Sequence, residues 1–210
     1  MGKTARRAGR MASAGVIREA ATTLFLRRGY LGTSMEEIAT LAGVSKQTVY
    51  THFADKEQLF TDLIRGATDR VDDFLQHATA LLPGTDDLET DLRELARRYL
   101  AQVLHPELLQ LRRLVIGEAG RFPDLARTYY EQAPARTLAG LASCFLRLAE
   151  RGLLRIDDPA LAAGSFAYLV LGRPLDRAMF CGVDEALSPA DRERQADEAV
   201  RVFLAAYGPR

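Results

Sequence analysis

Residues 33–56 combine two helix-capping signals and a glycine in one short stretch, TSMEEIATLAGVSKQTVYTHFADK, and this pattern constrains the fold most. Thr33 or Ser34 is placed to cap a first helix, since each precedes an acidic residue by three positions. Gly43 is placed to end that helix, because glycine enters the left-handed conformation without steric cost. Ser45 then caps a second helix. The stretch therefore predicts two short helices joined by a turn.

The side chains of this stretch divide into an apolar and a polar set. The apolar set, expected to hold the two helices together, is Ile38, Ala42, Val44, Val49 and Phe53. The polar set lies on the second helix and comprises Lys46, Gln47, Thr48, Thr51 and His52. Such side chains hydrogen-bond to base edges or phosphates, although a solvated helix face has a similar composition. The arrangement predicts a helix-turn-helix whose second helix enters a DNA major groove.

Motifs in this region resemble the TetR family of bacterial transcriptional regulators. They are Thr33-Ser34-Met35-Glu36-Glu37-Ile38-Ala39, Ala42-Gly43-Val44-Ser45, Thr48-Val49-Tyr50-Thr51-His52-Phe53 and Lys56-Glu57-Gln58-Leu59. Gln47 departs from the small residue or proline that the family often has there, and this concerns base preference rather than fold. The resemblance implies a cytoplasmic homodimer on a palindromic DNA operator, released by a small apolar effector. We expect repression, because a dimer on a promoter blocks polymerase without further contacts; the operator's location decides between repression and activation.

Residues 106–180 resemble the C-terminal domain of AefR-like regulators within the same family. The matching stretches are Leu111-Arg112-Arg113-Leu114-Val115-Ile116-Gly117-Glu118, Phe122-Pro123-Asp124-Leu125-Ala126 and Gly152-Leu153-Leu154-Arg155-Ile156-Asp157-Asp158-Pro159. With the N-terminal motifs, the resemblance covers nearly the whole chain. It implies a small-molecule pocket among these helices, and a four-helix bundle formed by the last two helices of each of two subunits.

Apolar residues recur at helical spacing along the chain, and no segment alternates strictly between apolar and polar residues, so we expect an all-α fold. The predicted helices lie at about residues 12–28, 35–42, 46–52, 55–82, 86–104, 107–118, 123–151, 158–180 and 188–207. A bend or split is expected at Pro134, inside the seventh helix. The first three helices form a predicted DNA-binding domain, residues 1–56. The others form a predicted helical ligand-binding and dimerisation domain, residues 57–210.

Charge is distributed unevenly, although the 210 residues have a net charge of zero. Residues 1–56 hold nine basic and four acidic residues, and the remainder carries the opposite excess. A basic N-terminal part suits a nucleic-acid partner. Residues 1–10 show no periodicity and are expected to be a disordered arm, in which Arg6, Arg7 and Arg10 either touch DNA or lie in a frayed terminus. No apolar run approaches the ~20 residues of a membrane span, so we expect no membrane association.

The predicted DNA contacts divide between bases and backbone. Lys46, Gln47 and Thr48 are expected to read bases. Tyr50, His52, Lys56 and Thr33 are expected to contact the phosphate backbone, and Lys56 does so in the resembled family. Ser45 and Thr51 complete the predicted DNA-binding set.

The helices after residue 57 carry aromatic and aliphatic residues that line either an effector cavity or simply the core. The resemblance favours a cavity. Its predicted lining comprises Phe74, Tyr99, Val103, Leu111, Val115, Tyr129, Phe145 and Tyr168, with Glu118 and Arg173 as polar groups; Leu100, Leu169 and Arg112 are further candidates. A regulator that is switched by a protein partner, or that has no inducer, is the alternative.

No arrangement of residues predicts catalysis or a metal site. His52, His77 and His105 are isolated, and Cys144 and Cys181 have no partner at ligand spacing. The scattered glycines form no phosphate loop, and no Gly-x-Ser-x-Gly elbow is present. We therefore expect no cofactor and no enzymatic activity; a helical enzyme with a coincidental helix-turn-helix is the rival hypothesis. Both cysteines are expected to be buried free thiols.

Overall fold

The computed structural model describes the backbone of residues 2–182 and 187–209, and the side chains of residues 13–64, 71–182 and 187–209. These residues form helices and no strand, which confirms the predicted all-α fold. The helices are α1 (Gly2–Arg28), α2 (Met35–Leu41), α3 (Lys46–His52), α4 (Lys56–Leu81), α5 (Leu88–Val103), α6 (Pro106–Glu118), α7 (Pro123–Tyr130), α8 (Arg136–Glu150), α9 (Pro159–Cys181) and α10 (Pro189–Tyr207). Among the described residues, no helix has the length and apolar character that a membrane span requires.

The chain divides into two compact units. The first is Met1–Gly66 with Gln110–Arg127, and the second is Ala67–Leu109 with Thr128–Arg210. The first unit extends past the predicted boundary at residue 56, because the first turns of α4 bury Leu59, Phe60 and Ile64. The assignment of DNA-binding and regulatory roles to residues 1–56 and 57–210 remains a prediction.

The core of the first unit forms where α1, α2, α3 and the start of α4 pack together. Phe25, Tyr30 and Phe60 form an aromatic cluster with ring centroids 5.3 to 5.5 Å apart. Ile38 of α2 and Val49 of α3 are fully buried. Burial of these apolar side chains stabilises α2 and α3, which at seven residues each are too short to persist alone.

α1 begins at Gly2, so the backbone of residues 2–10 is helical and the expectation of a disordered arm is wrong. The segment is rich in alanine and arginine, and both are strong helix formers. The side chains of Arg6, Arg7 and Arg10 lie outside the described residues, and their predicted DNA contacts remain predictions.

The second unit has its own core between α5, α8, α9 and α10. Phe145, Phe166 and Phe203 are fully buried, with ring centroids 5.2 to 5.4 Å apart. Asp158 caps α9 and Ser188 caps α10, each followed by a proline in the first turn. The local capping signals in the sequence thus set the start of both helices.

Two further expectations concern Pro134 and the cysteines. The predicted break at Pro134 takes the form of a π-helical turn, Glu131–Ala135, between α7 and α8. Proline lacks the backbone N–H that an α-helix needs at that position.

Cys144 is buried as expected, and burial raises the pKa of its thiol. Cys181 is exposed, because it ends α9, so the expectation that both thiols are buried is wrong.

Candidate functional site

The helix-turn-helix forms as its capping signals predict. Ser34, rather than Thr33, caps α2: its Oγ accepts from the backbone N–H of Glu37 at 3.2 Å, and Glu37 accepts from the backbone N–H of Ser34 at 2.9 Å. Gly43 follows α2 with a φ of 65°, in the left-handed region that favours glycine. The Oγ of Ser45 accepts from the N–H of Thr48 at 3.0 Å and so caps α3. This tight turn fixes α3 against α2.

One face of α3 is exposed and polar. Lys46, Gln47 and Thr51 are exposed, Tyr50 is 43% exposed, and Val49 on the opposite side is fully buried. This geometry leaves the amide of Gln47 and the phenol of Tyr50 facing solvent, where base edges or phosphates can meet them. The arrangement can therefore present a short polar helix face to a DNA groove.

The Lys46 ammonium forms an ion pair with Glu36 of α2 and lies 5.8 Å from the centre of the Tyr50 ring. The hydrogen bond from Lys46 holds the pKa of the Glu36 carboxyl below its usual value, and the same bond raises the pKa of Lys46. Both side chains are exposed, so the pair contributes little stability. A nucleic-acid phosphate or base acceptor would compete with Glu36 for this cation.

Several predicted contacts use their polar atoms within the protein. The Thr51 hydroxyl donates to the carbonyl oxygen of Gln47 at 2.8 Å, and the Ser45 and Thr48 hydroxyls lie 2.8 Å apart. Nε2 of His52 lies 2.8 Å from the Ser13 hydroxyl of α1. These contacts help to fix α3 in place.

Thr33 and Lys56 make hydrogen bonds within the protein, and their predicted phosphate contacts remain predictions. Thr33 is 2% exposed, and its hydroxyl donates to the carbonyl oxygen of Gly29 at 3.0 Å. The ammonium of Lys56 donates to the carbonyl oxygens of Tyr30 and Thr33, each at 2.7 Å. Burial is the largest cause that lowers the pKa of Lys56. Both residues hold the turn between α1 and α2 together, because the turn's backbone carbonyls have no helical partner and need donors.

The residues predicted to line an effector cavity are divided between the two compact units. Leu111, Val115 and Glu118 belong to the first unit. The carboxylate of Glu118 accepts from the backbone N–H of Tyr30 at 3.3 Å, so this polar group contacts the turn between α1 and α2. The prediction that Glu118 faces an effector does not agree with this contact.

The other predicted cavity residues lie in the second unit. Phe74, Tyr99, Tyr129 and Phe145 are buried, and Val103 packs against the same core. The rings of Phe74 and Tyr99 stack at 5.0 Å, whereas Phe145 packs within the Phe166 and Phe203 cluster. Their arrangement suits a packed core, which was the alternative interpretation.

Tyr168 and Arg173 point away from that core. Tyr168 is 75% exposed on α9, so it lines no cavity within the described part of the second unit. Arg173 is exposed and lines a surface cleft of about 300 Å³ between the end of α9 and the start of α10. Arg177, Arg194 and Gln195 also line this cleft, and sequence reasoning did not single them out. Arginines on charged surface helices carry no pattern that marks them as a cleft lining.

Metal ligands are not clustered in the described residues. These residues contain no group of three histidine, cysteine, aspartate or glutamate side chains that is able to hold a metal ion. The candidate site is the exposed polar face of α3.

Comparisons with known proteins bear on both halves of the chain. A family model described as bacterial regulatory proteins, tetR family, matches residues 17–63. A second model, described as AefR-like transcriptional repressor, C-terminal domain, matches residues 90–209. Together the two matched ranges contain α2, α3 and most of the second unit.

Related proteins have the same fold. A solved TetR-family transcriptional regulator from Mesorhizobium loti MAFF303099 is 46% identical, with 95% of this chain and 98% of that chain covered and a TM-score of 0.86. The flavonoid-responsive regulator FrrA is 34% identical, with 95% and 98% covered and a TM-score of 0.73. The transcriptional regulator AcrR of Shigella flexneri is 30% identical over 102 residues, or 49% of this chain and 45% of its own. The chain spans 25% to 45% of the length of the first curated relatives it matches.

Proposed function

The chain belongs to the TetR family of bacterial regulatory proteins, and we propose that it is a ligand-responsive transcriptional repressor. As a cytoplasmic homodimer it binds a palindromic operator in double-stranded DNA, and a small apolar effector releases it. The observation that carries the proposal is the exposed polar face of α3, held by the caps at Ser34 and Ser45. The matched relatives are transcriptional regulators rather than enzymes, which supports recognition as the function.

Within the α3 surface, Lys46, Gln47 and Thr48 read bases. Gln47 is exposed and carries both a donor and an acceptor, so it suits bidentate recognition of adenine. Tyr50 is placed to contact the phosphate backbone with its phenol. Thr33 and Lys56 support the surface from within, as their contacts with the α1–α2 turn indicate.

The homodimer forms through α9 and α10. Leu161, Gly164, Tyr168 and Gly172 follow one another at helical spacing on α9, and Leu161 and Tyr168 are largely exposed. The glycines have no atom of the described residues within 4 Å of where a Cβ would lie, so a second helix has room to approach. One recognition helix contacts only a few bases and so has low sequence specificity. A dimer places two recognition helices on two half-sites, which raises that specificity.

Release by an effector works through α4, which runs from Lys56 in the first unit to Leu81 in the second. The effector enters the second unit and shifts α4, and the separation of the two recognition helices in the dimer changes. That separation must be about 34 to 36 Å for both to occupy successive major grooves, so a few ångströms suffice to lose one half-site. The effector shifts the equilibrium only by its differential affinity for the two states.

Selection of duplexes from a random library by the wild-type protein tests the DNA-binding proposal. We expect a palindromic consensus, and a changed base preference in Gln47→Ala. Glu19→Gln, an exposed change on α1, should leave the consensus unchanged and serves as the control. Failure of the wild-type protein to enrich any duplex would refute the proposal. A consensus that is the same in Gln47→Ala would refute the role of Gln47 alone.

The effector is tested by reciprocal linkage. FrrA is described as flavonoid-responsive, so a panel of flavonoids is a reasoned first set of ligands for this chain. A flavonoid that weakens binding of the selected duplex must itself bind more weakly, by the same factor, in the presence of that duplex. A flavonoid that binds the protein without changing duplex affinity would argue against the release mechanism and leave the DNA-binding proposal intact.

A further inference from the structure

A later segment of the chain, Gln110–Arg127, belongs to the same compact unit as the helix-turn-helix. This segment contains most of α6 and the first part of α7. At both ends, after Leu109 and before Thr128, the chain belongs to the second unit. The segment is therefore covalently tied to the second unit on both sides while it packs in the first.

Two contacts of this segment meet at Tyr30, which is buried at the turn after α1. Oε1 of Glu118 accepts from the backbone N–H of Tyr30 at 3.3 Å. The ring of Phe122 meets the ring of Tyr30 edge-on, with centroids 4.8 Å apart. The backbone N–H of Phe122 in turn donates to the carbonyl oxygen of Glu118 at 2.8 Å, which fixes the two side chains relative to each other.

The turn from Gly29 to Thr33 is thereby held from two directions. Glu118 accepts from its N–H group at Tyr30, whereas the Lys56 ammonium donates to its carbonyl oxygens at Tyr30 and Thr33. Gly29 has a φ of 71°, and a Cβ there would lie 3.7 Å from Oε1 of Glu118, so the carboxylate sits close against the turn. The turn leads directly into Ser34, the cap of α2. Its position therefore sets where the helix-turn-helix begins.

We propose that Glu118 is a positioning residue for DNA binding, which holds the Gly29–Thr33 turn and so the helix-turn-helix in its binding geometry. The inference rests on the proposed function and deepens it. Without Glu118 the Tyr30 N–H loses its partner, and the turn samples other conformations. Apparent DNA affinity falls in proportion to the population of the competent conformation.

The test compares Glu118→Ala and Glu118→Gln with Ile116→Ala, a control on the same helix whose side chain is 61% exposed. Hydrogen exchange of the Tyr30 amide, followed by NMR, and affinity for the duplex selected by the wild-type protein are both measured. In Glu118→Ala we expect the Tyr30 amide to exchange roughly tenfold faster and the affinity to fall by a similar factor, as loss of one hydrogen bond to a charged group predicts. Glu118→Gln keeps an acceptor oxygen, so its exchange rate and affinity should lie between those of Glu118→Ala and the wild type. Ile116→Ala should match the wild type in both measurements.

The outcomes separate this inference from the proposed function. Suppose that the wild-type protein binds the duplex. If Glu118→Ala then has unchanged duplex affinity or unchanged exchange of the Tyr30 amide, the positioning role is overturned and the regulator assignment stands. Equal losses in Ile116→Ala would also overturn it, since they would reflect general destabilisation. If Glu118→Ala does not fold, Glu118→Gln provides the comparison, with a smaller expected loss in affinity and in Tyr30 protection. If the wild-type protein selects no duplex, the proposed function fails and the positioning role fails with it, whatever the Tyr30 exchange shows.

Discussion

The ammonium of Lys56 lies 4.3 Å from the centre of the Tyr30 ring and donates to the carbonyl oxygen of the same residue at 2.7 Å. The cation thus contacts both the aromatic face and the backbone of one residue, and a second hydrogen bond reaches Thr33. Charged donors make the stronger class of hydrogen bond, and a cation over a ring adds attraction. A lysine at the start of α4 therefore acts on the fold of the first unit.

Replacement of Lys56 by methionine should lower the free energy of unfolding by about 1 to 3 kcal/mol, because two carbonyl groups lose their donor. The dependence of DNA affinity on salt should stay unchanged, since this ammonium is held by the protein. Lys46→Met is the matched control and should leave stability near the wild-type value. Chemical denaturation and salt titrations of duplex binding measure the two effects. A salt slope reduced by about one in Lys56→Met would instead show that Lys56 neutralises a phosphate.

Acid should weaken the cap of α2. Hydrogen bonds from Ser34, first from its backbone N–H, hold the pKa of the Glu37 carboxyl below its usual value of 4.5. The unfolded chain then takes up this proton at a higher pH than the folded chain does, so the contribution of Glu37 to stability is present above pH 4.5 and is lost as pH falls through the folded-state pKa. Glu37→Gln does not titrate and should flatten the pH dependence of the unfolding free energy in this range. Identical pH profiles for the two proteins would contradict the prediction.

Two helical glycines differ in the space around them. A Cβ added at Gly140 of α8 would overlap the side chain of Leu75 of α4, whereas one at Gly117 of α6 would meet no described atom within 4 Å. Gly140→Ala should therefore cost about 1 to 3 kcal/mol of stability, and Leu75→Ala in the same chain should restore part of it. Gly117→Ala should be neutral or stabilising by up to ~1 kcal/mol. Thermal unfolding of the wild type, Gly140→Ala, Leu75→Ala, their double variant and Gly117→Ala tests this, and an additive effect of the two core changes would exclude direct overlap.

Local signals in the sequence were sufficient to predict the helix-turn-helix. The caps at Ser34 and Ser45 and the glycine at position 43 act within three or four residues, so their spacing carries the structure. The same holds for the starts of α9 and α10, where Asp158 and Ser188 precede prolines. Structure that depends on neighbours in the chain is predictable from the chain alone.

Contacts between distant residues were not predictable in this way. Lys56 and Glu118 are 26 and 88 positions from Tyr30, and neither periodicity nor capping indicates which carbonyl or N–H a charged side chain will meet. The family resemblance assigned Lys56 to phosphate, and it implied an effector cavity into which Glu118 was expected to reach. In the folded chain both side chains form hydrogen bonds with the α1–α2 turn. Tyr168 was misplaced for a related reason, since α9 has apolar residues on more than one face and spacing alone does not say which face is covered.

The exposed side of α9 leads to the prediction about assembly. Tyr168 is 75% and Leu161 is 64% exposed, and the two lie two turns apart on the same side of the helix. A carboxylate at position 168 would be buried without a partner in a helix–helix interface, so Tyr168→Glu should raise the dimer dissociation constant roughly 30-fold or more. Leu146→Glu, an equally apolar exposed position on α8, should leave the assembly unchanged. Sedimentation velocity across micromolar concentrations measures the distribution of species, and the selected palindromic duplex should bind Tyr168→Glu more weakly than it binds the control. A wild-type protein that sediments as a monomer, or a Tyr168→Glu variant that remains dimeric, would show that this face of α9 does not form the interface.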